Sequence, residues 1–237
     1  MRRAYADRSE YFGDPDFVKV PLKELTDKAY AKRLYESIDE KKATPSDLVK
    51  PGLIPLKEGT QTTHYSVADR FGNAVSVTYT INDWYGSGVA VEGAGFLLND
   101  EMDDFSAKPG VPNMYGVIGG DANAIAPYKR PLSSMSPSII SKDGKIFMVV
   151  GSPGGSRIIT TVLQVISNVI DHKMPVNEAV SAPRFHMQWQ PDEIRLEPEN
   201  GLTEAQKKDL VARGYHLTVK PYMATSMPSS SILSRER

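Results

Sequence analysis

One junction restricts this chain more than any other feature: Gly151-Ser-Pro-Gly-Gly-Ser156 divides a β-rich run from a helical one. Behind it, Ile158, Ile159, Val162, Leu163, Ile166, Val169 and Ile170 recur at helical spacing and mark a broad apolar face on one long helix. Ahead of it, Ser136 to Ile140 and Ile146 to Val150 flank Asp143-Gly144, the residue pair that closes a two-residue hairpin. A sheet therefore hands over to a helix through a glycine-rich turn. A helix with one apolar face must lay that face on another layer.

A second hairpin precedes it. Thr62 to Asp69 and Ala74 to Thr80 are β-rich, with Val75, Val77 and Tyr79 alternating with Ser76, Thr78 and Thr80 around Arg70-Phe71-Gly72. If Gly72 takes the left-handed position of a three-residue loop, Asp69 pairs with Asn73, and the ladder places Thr62 opposite Thr80. A slip of one residue would pair Thr63 with Thr80 instead.

Elsewhere, Pro21 to Ile38 has helical period, with Leu25, Tyr30, Leu34 and Ile38 as its stripe. Lys41 to Gln61 carries Pro45, Pro51 and Pro55 with Gly52 and Gly59, a composition that resists regular structure and predicts an exposed, cleavable linker. Val176 to Ala182 is a shorter helix. Thr203-Glu-Ala-Gln206 reads as a capping box opening a helix that Gly214 closes, before a strand from Tyr215 to Lys220.

Composition narrows the function classes. With 40% hydrophobic and 24% charged residues, the 237-residue chain belongs with folded globular proteins. Its 28 basic and 29 acidic residues give a net charge of -1, no footprint for nucleic acid and no basic stretch for a lipid surface. The absence of cysteine removes disulfides, thiol catalysis and cysteine metal sites. No apolar run reaches the roughly 18 to 20 residues that cross a bilayer, and the first residues have no apolar core of a signal peptide.

Four kinds of chemistry compete for the remaining residues. Histidines 64, 172, 186 and 216 show no paired spacing, and Asp100-Glu101-Met102-Asp103-Asp104 reads as a solvated acidic turn rather than a calcium loop, so no metal is expected. Gly151 to Arg157 resembles a phosphate cradle at a helix start, yet it lacks the P-loop lysine; the same glycines suit an oxyanion hole, and a plain tight turn is the bland alternative. Ser133, Ser134 and Ser136 have no nucleophile elbow around them, which leaves loop hydrogen bonding or substrate contact. A strand-opening threonine behind a cleavable linker is the fourth candidate: once released, its own α-amine, with a reference pKa of about 7.7 to 8.0, is a ready base. On the residues alone such a threonine is also ordinary β sequence.

The motifs QTTHYSV, DRFGNAVSVTYTIN, LLNDEMDDFSAKPGVPNMYG, RPLSSMSPSI and GSPGGSRIITTVLQ, in this order, resemble bacterial γ-glutamyltransferase (γ-glutamyl transpeptidase), an N-terminal nucleophile hydrolase. The resemblance implies an α+β fold, the αββα sandwich of that class, incomplete here because the large-subunit half is missing. Residues 1–61 resemble the C-terminal end of the large subunit with its linker, and residues 62–237 the small catalytic subunit, truncated at its C-terminus. The missing large-subunit region is thus an implied partner.

Carried over residue by residue, the resemblance makes Gln61–Thr62 the self-cleavage site, Thr62 the nucleophile, Thr80 its positioning hydroxyl, and Gly154 and Gly155 the oxyanion amides. Asn82, Glu101 and Asp104 would hold the α-amino group of the donor, Ser133 and Ser134 its α-carboxylate, and Tyr115 would tip a lid loop. The implied reaction is γ-glutamyl transfer and hydrolysis on glutathione, glutamine and related donors, with an amino acid, a dipeptide or water as acceptor, without metal or organic cofactor, in a periplasmic or secreted setting. Asp83-Trp84-Tyr85 is bulky for a position beside the pocket. Alternatives are a cephalosporin acylase-like amidase, an inactive fragment awaiting its large subunit, and a phosphate-binding module at the glycine turn.

Overall fold

The computed structural model describes residues 1–49, 62–111, 118–198 and 202–220, together with the backbone of 233–234. Among these the helices are α1 (Arg2–Tyr11), α2 (Leu22–Leu25), α3 (Lys28–Glu36), α4 (Ile158–Ile170), α5 (Val176–Ser181) and α6 (Glu204–Ala212). The strands are β1 (Thr63–Ala68), β2 (Ala74–Tyr79), β3 (Ser138–Lys142), β4 (Lys145–Val150), β5 (Phe185–His186), β6 (Ile194–Leu196), β7 (Leu217–Val219) and β8 (Leu233–Ser234). They fall into two units that interleave along the chain. One comprises Met1–Glu58, Met102–Ser133 and Phe185–Val219, the other Gly59–Glu101, Ser134–Arg184 and Lys220–Arg237.

The second unit contains both hairpins. Gly72 takes φ +90°, Asp69 N–H donates to the Asn73 carbonyl at 3.0 Å, and the pairs run from Ala68–Ala74 to Thr63–Tyr79. The Asp69 carboxylate closes the loop by accepting from the Asn73 side-chain amide (2.6 Å) and from the backbone N–H of Asn73 (2.9 Å) and Phe71 (2.8 Å), and these bonds, the side-chain one foremost, hold its pKa below the ordinary value. The alternation is inverted with respect to an ordinary half-buried sheet. Tyr65, Val67, Val75 and Tyr79 are exposed, whereas His64 is buried on the opposite face.

The other hairpin turns at Asp143 (φ 53°) and Gly144 (φ 73°), both left-handed as a type I′ turn requires, and a bulge follows Ile140. Strand β4 lies between β3 and β8. Its Met148 and Val150 pack with Ile158, Val162 and Val165 of α4 and Ala179 of α5 into the buried core. Each large apolar side chain so covered contributes about 1.5–3 kcal/mol. The junction read from the sequence therefore joins a sheet to the helix that covers it.

The first unit departs further from expectation. The helix expected over Pro21 to Ile38 is two helices, because Asp27 Oδ1 accepts from the N–H groups of Ala29 (2.7 Å) and Tyr30 (3.1 Å) and so caps α3 afresh. Helix α1 buries Arg2, Tyr5, Ala6 and Ser9, a face of mixed polarity that shows no apolar stripe. Tyr5 meets His186 edge to face, and Tyr30 donates its hydroxyl to Asp7 at 2.8 Å. Strand β6 pairs antiparallel with β5 and parallel with β7. The capping box at Thr203 and Gln206 forms as read, and Gly214 follows α6 at φ +95°.

The start of the expected exposed linker is pinned at Ala43 and Ser46, which corrects that reading there, while Pro45, Asp47 and Leu48 are exposed. Ala43 and Ser46 are buried; Ser46 N–H donates to Asp192 at 2.7 Å, and the buried Trp189 indole donates to the carbonyls of Ser46 (2.9 Å) and Val49 (2.7 Å). Proline removes backbone donors, yet carbonyls and neighbouring amides remain to be held. Residues 50–61, with Gln61, lie outside the described residues.

Candidate functional site

Thr62 stands one residue before β1, half-buried. Continuing the register from the Thr63–Tyr79 pair by one step sets it opposite Thr80. The alternative register, Thr63 with Thr80, is excluded. The Thr80 hydroxyl accepts from the Asn82 N–H at 2.8 Å, so the second threonine is itself oriented by the chain that follows it.

Asn82 is 3% exposed and left-handed at φ 74°, a conformation that asparagine tolerates better than most residues. Its side-chain amide donates to the Asp100 carbonyl at 3.3 Å, and Asp100 Oδ1 accepts from the Asp83 N–H at 3.0 Å. The two ends of segment 82–100 are thereby tied together beside Glu101, whose N–H donates to Asn99 Oδ1 at 3.0 Å. Trp84 and Tyr85, at the start of this segment, are exposed.

The glycine turn takes two consecutive left-handed residues, Gly154 at φ 132° and Gly155 at φ 58°, where a side chain would be strained. A short 3-10 turn, Gly155–Arg157, leads into α4. The buried Arg157 donates through both its backbone N–H (3.2 Å) and Nε (3.1 Å) to the Gly154 carbonyl, which fixes the direction of that peptide. A backbone bent this way at the positive end of a helix suits a developing negative charge.

His64 was not singled out from the sequence, yet it joins these parts. Its ring contacts Thr78 Oγ1 through Nδ1 at 2.8 Å and Ser66 Oγ through Nε2 at 3.1 Å. Burial lowers its pKa and favours the neutral imidazole. The ring lies so close to Gly151 that a Cβ there would fall 2.2 Å from Cε1. The Ser76 hydroxyl donates to the Val150 carbonyl at 3.4 Å, a second tie from the Thr62 hairpin to the strand that opens the glycine turn. The available signal was a polar residue at an inward position of the β1–β2 alternation.

Asp104 and Ser133 belong to the other unit. Asp104 ends the 3-10 turn Glu101–Asp104 and is followed by the buried Phe105 and Ser106. Asn123, also absent from the sequence reading, reaches both neighbourhoods: Nδ2 donates to the Asp104 carbonyl at 2.7 Å, and Oδ1 accepts from the N–H of Leu132 at 3.0 Å. Ser134 lies in the unit of Thr62, and its carbonyl accepts from the Ser136 hydroxyl at 3.0 Å, so part of this serine cluster makes loop hydrogen bonds. Tyr115 lies outside the described residues.

Among the described residues no group of three His, Asp or Glu side chains is arranged to hold a metal ion, and no helix is long and apolar enough to cross a membrane.

With its α+β fold, Thr62 just before β1 and, one step along the register, opposite Thr80, and a glycine turn at the start of the covering helix, this chain is of the N-terminal nucleophile hydrolase class. Residues 1–233 match the family model for gamma-glutamyltranspeptidase, and the chain belongs to that family. It is 59% identical over 223 residues to the glutathione hydrolase proenzyme of Escherichia coli, covering 94% of this chain and 38% of the relative. It is 39% identical to the acylase ACY 1 proenzyme of a Pseudomonas species, over 96% of this chain and 38% of that protein. A crystal structure of a Helicobacter pylori gamma-glutamyltranspeptidase mutant superposes with a TM-score of 0.67 at 62% identity, covering 73% of this chain and 97% of that one. The chain thus spans about 38% of the length of the glutathione hydrolase and acylase relatives named here.

Proposed function

We propose that this chain carries the catalytic machinery of a γ-glutamyltransferase and glutathione hydrolase that cleaves itself between Gln61 and Thr62. Residues 1–61 are then the end of a large subunit and residues 62–237 the bulk of the small one. The observation that carries the reading is the hairpin register, which sets Thr62 against Thr80 on a hairpin fastened by His64 and Ser76 to the strand before Gly154 and Gly155.

In the reaction the Thr62 hydroxyl oxygen bonds to the γ-carbonyl carbon of glutathione, glutamine or a related donor. Its proton passes to the Thr62 α-amine, and the amides of Gly154 and Gly155 stabilise the oxyanion. The carbon–nitrogen bond then breaks, the α-ammonium returns the proton to the leaving amine, and a γ-glutamyl ester remains on Thr62. Water, an amino acid or a dipeptide attacks that ester and restores the free hydroxyl. Asn82, Glu101 and Asp104 receive the donor α-ammonium, and Ser133 and Ser134 its α-carboxylate, a match of acceptors to a cation and of hydroxyl donors to an anion. Tyr115 belongs to the lid. The working partner is the large-subunit region, and the setting is periplasmic or secreted.

The acylase relative at 39% identity supports a second reading, a cephalosporin acylase-like amidase of the same fold, which the ammonium-binding charges of the donor pocket distinguish from a glutamyl enzyme. Both are tested by comparing hydrolysis of a γ-glutamyl anilide with that of a glutaryl anilide by this chain supplied with the preceding large-subunit region. The γ-glutamyl reading expects a strong preference for the aminated donor, abolished turnover in Thr62→Ala, and restored slow turnover in Thr62→Ser. Preference for the glutaryl donor would establish the acylase reading.

A further inference from the structure

Asn123 ends a short 3-10 turn, Asp121–Asn123, and is 4% exposed. Both its backbone groups are engaged: its N–H donates to the Gly120 carbonyl at 3.1 Å, and its carbonyl accepts from the Ser106 N–H at 2.9 Å. Gly120 is in turn held to α1 through its N–H, 2.8 Å from the Ser9 carbonyl. Lys129 Nζ adds bonds to the carbonyls on either side, Ala122 at 2.8 Å and Ala124 at 2.9 Å. This asparagine is therefore anchored before its side chain acts.

The side chain spans two segments far apart in sequence. Nδ2 donates to the Asp104 carbonyl at 2.7 Å, and Oδ1 accepts from the Leu132 N–H at 3.0 Å. The orientation of the amide is settled by its partners, since a backbone carbonyl can only accept and a backbone N–H can only donate. One planar group thus sets the separation between the backbone at Asp104 and the backbone immediately before Ser133.

We infer that Asn123 is a positioning residue for recognition of the amino-acid head of the donor, fixing the carboxylate of Asp104 relative to the hydroxyl of Ser133. The inference rests on the roles proposed above for those two residues. A donor α-carbon carries its ammonium and carboxylate at one fixed spacing, so the groups receiving them must also keep a fixed spacing. Asn123 touches neither the substrate nor the reacting atoms. Its effect falls on discrimination between donors with and without the head group, while self-cleavage at Gln61–Thr62 involves no donor.

The test uses the chain together with its large-subunit region, as wild type, Asn123→Ala and Asn123→Asp. The aspartate keeps size and the acceptor for Leu132 but loses the donor to Asp104. Cleavage at Thr62 and the kcat and KM for γ-glutamyl and glutaryl anilides are measured on each. The expected result is retained cleavage with the γ-glutamyl over glutaryl preference reduced about tenfold or more, the loss residing mainly in the KM of the γ-glutamyl donor. An unchanged preference in both variants overturns the inference, as does loss of cleavage in both, which would assign Asn123 to folding alone. A wild type that neither cleaves nor turns over either donor overturns the catalytic reading itself.

Discussion

The imidazole of His64 occupies the space that a side chain at Gly151 would need, with a Cβ at that position only 2.2 Å from the ring. Strand β1, which Thr62 precedes, and the turn that carries Gly154 and Gly155 are therefore fitted to each other through one buried histidine and one missing methyl group. Gly151 shows no left-handed φ, so the glycine is required by packing rather than by backbone conformation.

Gly151→Ala should destabilise the protein by about 1–3 kcal/mol, the usual cost of overfilling a packed site. Adding His64→Ser should recover part of the loss, because the smaller side chain makes room for the methyl group. Denaturant midpoints of the two single variants and the double variant measure this. A neutral Gly151→Ala would mean that the two elements are not packed as described.

Thr80→Ala should slow cleavage at Thr62 by on the order of 100-fold, in the range for loss of one positioned hydroxyl. The substitution also leaves the Asn82 N–H without the oxygen it reaches at 2.8 Å, so donor affinity should fall with the cleavage rate. Thr80→Ser should retain most of both. Time-resolved gel analysis of the precursor gives the rate, and cleavage as fast as wild type in Thr80→Ala would remove the hydroxyl pair from the account.

Acid should weaken the unit that contains Asp14. The Arg130 guanidinium and backbone N–H, with the latter 2.8 Å from Oδ2, hold the Asp14 carboxyl well below the usual carboxylate range. A depressed folded-state pKa contributes stability that is fully present above the unfolded value, about 3.9, and is lost as pH falls through the folded one. Unfolding midpoints from pH 7 down to pH 3 should therefore drop less steeply in Asp14→Asn, which starts lower at neutral pH. Parallel profiles would show that this carboxylate does not set the acid dependence.

Trp189→Phe should cost about 1–3 kcal/mol, since the carbonyls of Ser46 and Val49 lose a buried donor. It should also release the start of the segment leading to Gln61 and speed proteolytic nicking near residues 46–49. Limited proteolysis with mass analysis reads both the site and the rate. An unchanged rate would show that the indole does not hold this stretch.

The parts legible in the sequence are those governed by local rules. Asp143-Gly144 and Arg70-Phe71-Gly72 specify their turns through left-handed residues, Thr203 and Gln206 cap their helix reciprocally, and the stripe from Ile158 to Ile170 has helical period. The Thr62–Thr80 juxtaposition was accessible for the same reason, because a loop of known length fixes a register.

What escaped depends on distant partners. Helix α1 buries Arg2 and Ser9 alongside Tyr5 and Ala6, a face too mixed to read as an apolar stripe, and Asp27 looks like one more polar residue in a charged helix until its side chain caps α3. The linker reading failed at Ser46 because Trp189, 143 positions away, supplies the bonds that its composition denies. His64 and Asn123 were hidden because a buried polar residue is defined by what it touches, through Gly151 in one case and Asp104 and Leu132 in the other.

Whether Thr62 becomes the nucleophile by freeing its own amine is read from intact mass before and after a γ-glutamyl-directed covalent inhibitor. The measurement is made on this chain alone and on the chain supplied with its large-subunit region, with peptide mapping of any adduct. Cleavage between Gln61 and Thr62, with a single label on Thr62 of the new fragment, is the expected result. One uncut, unlabelled mass in both samples, or a label on any other residue, would contradict it.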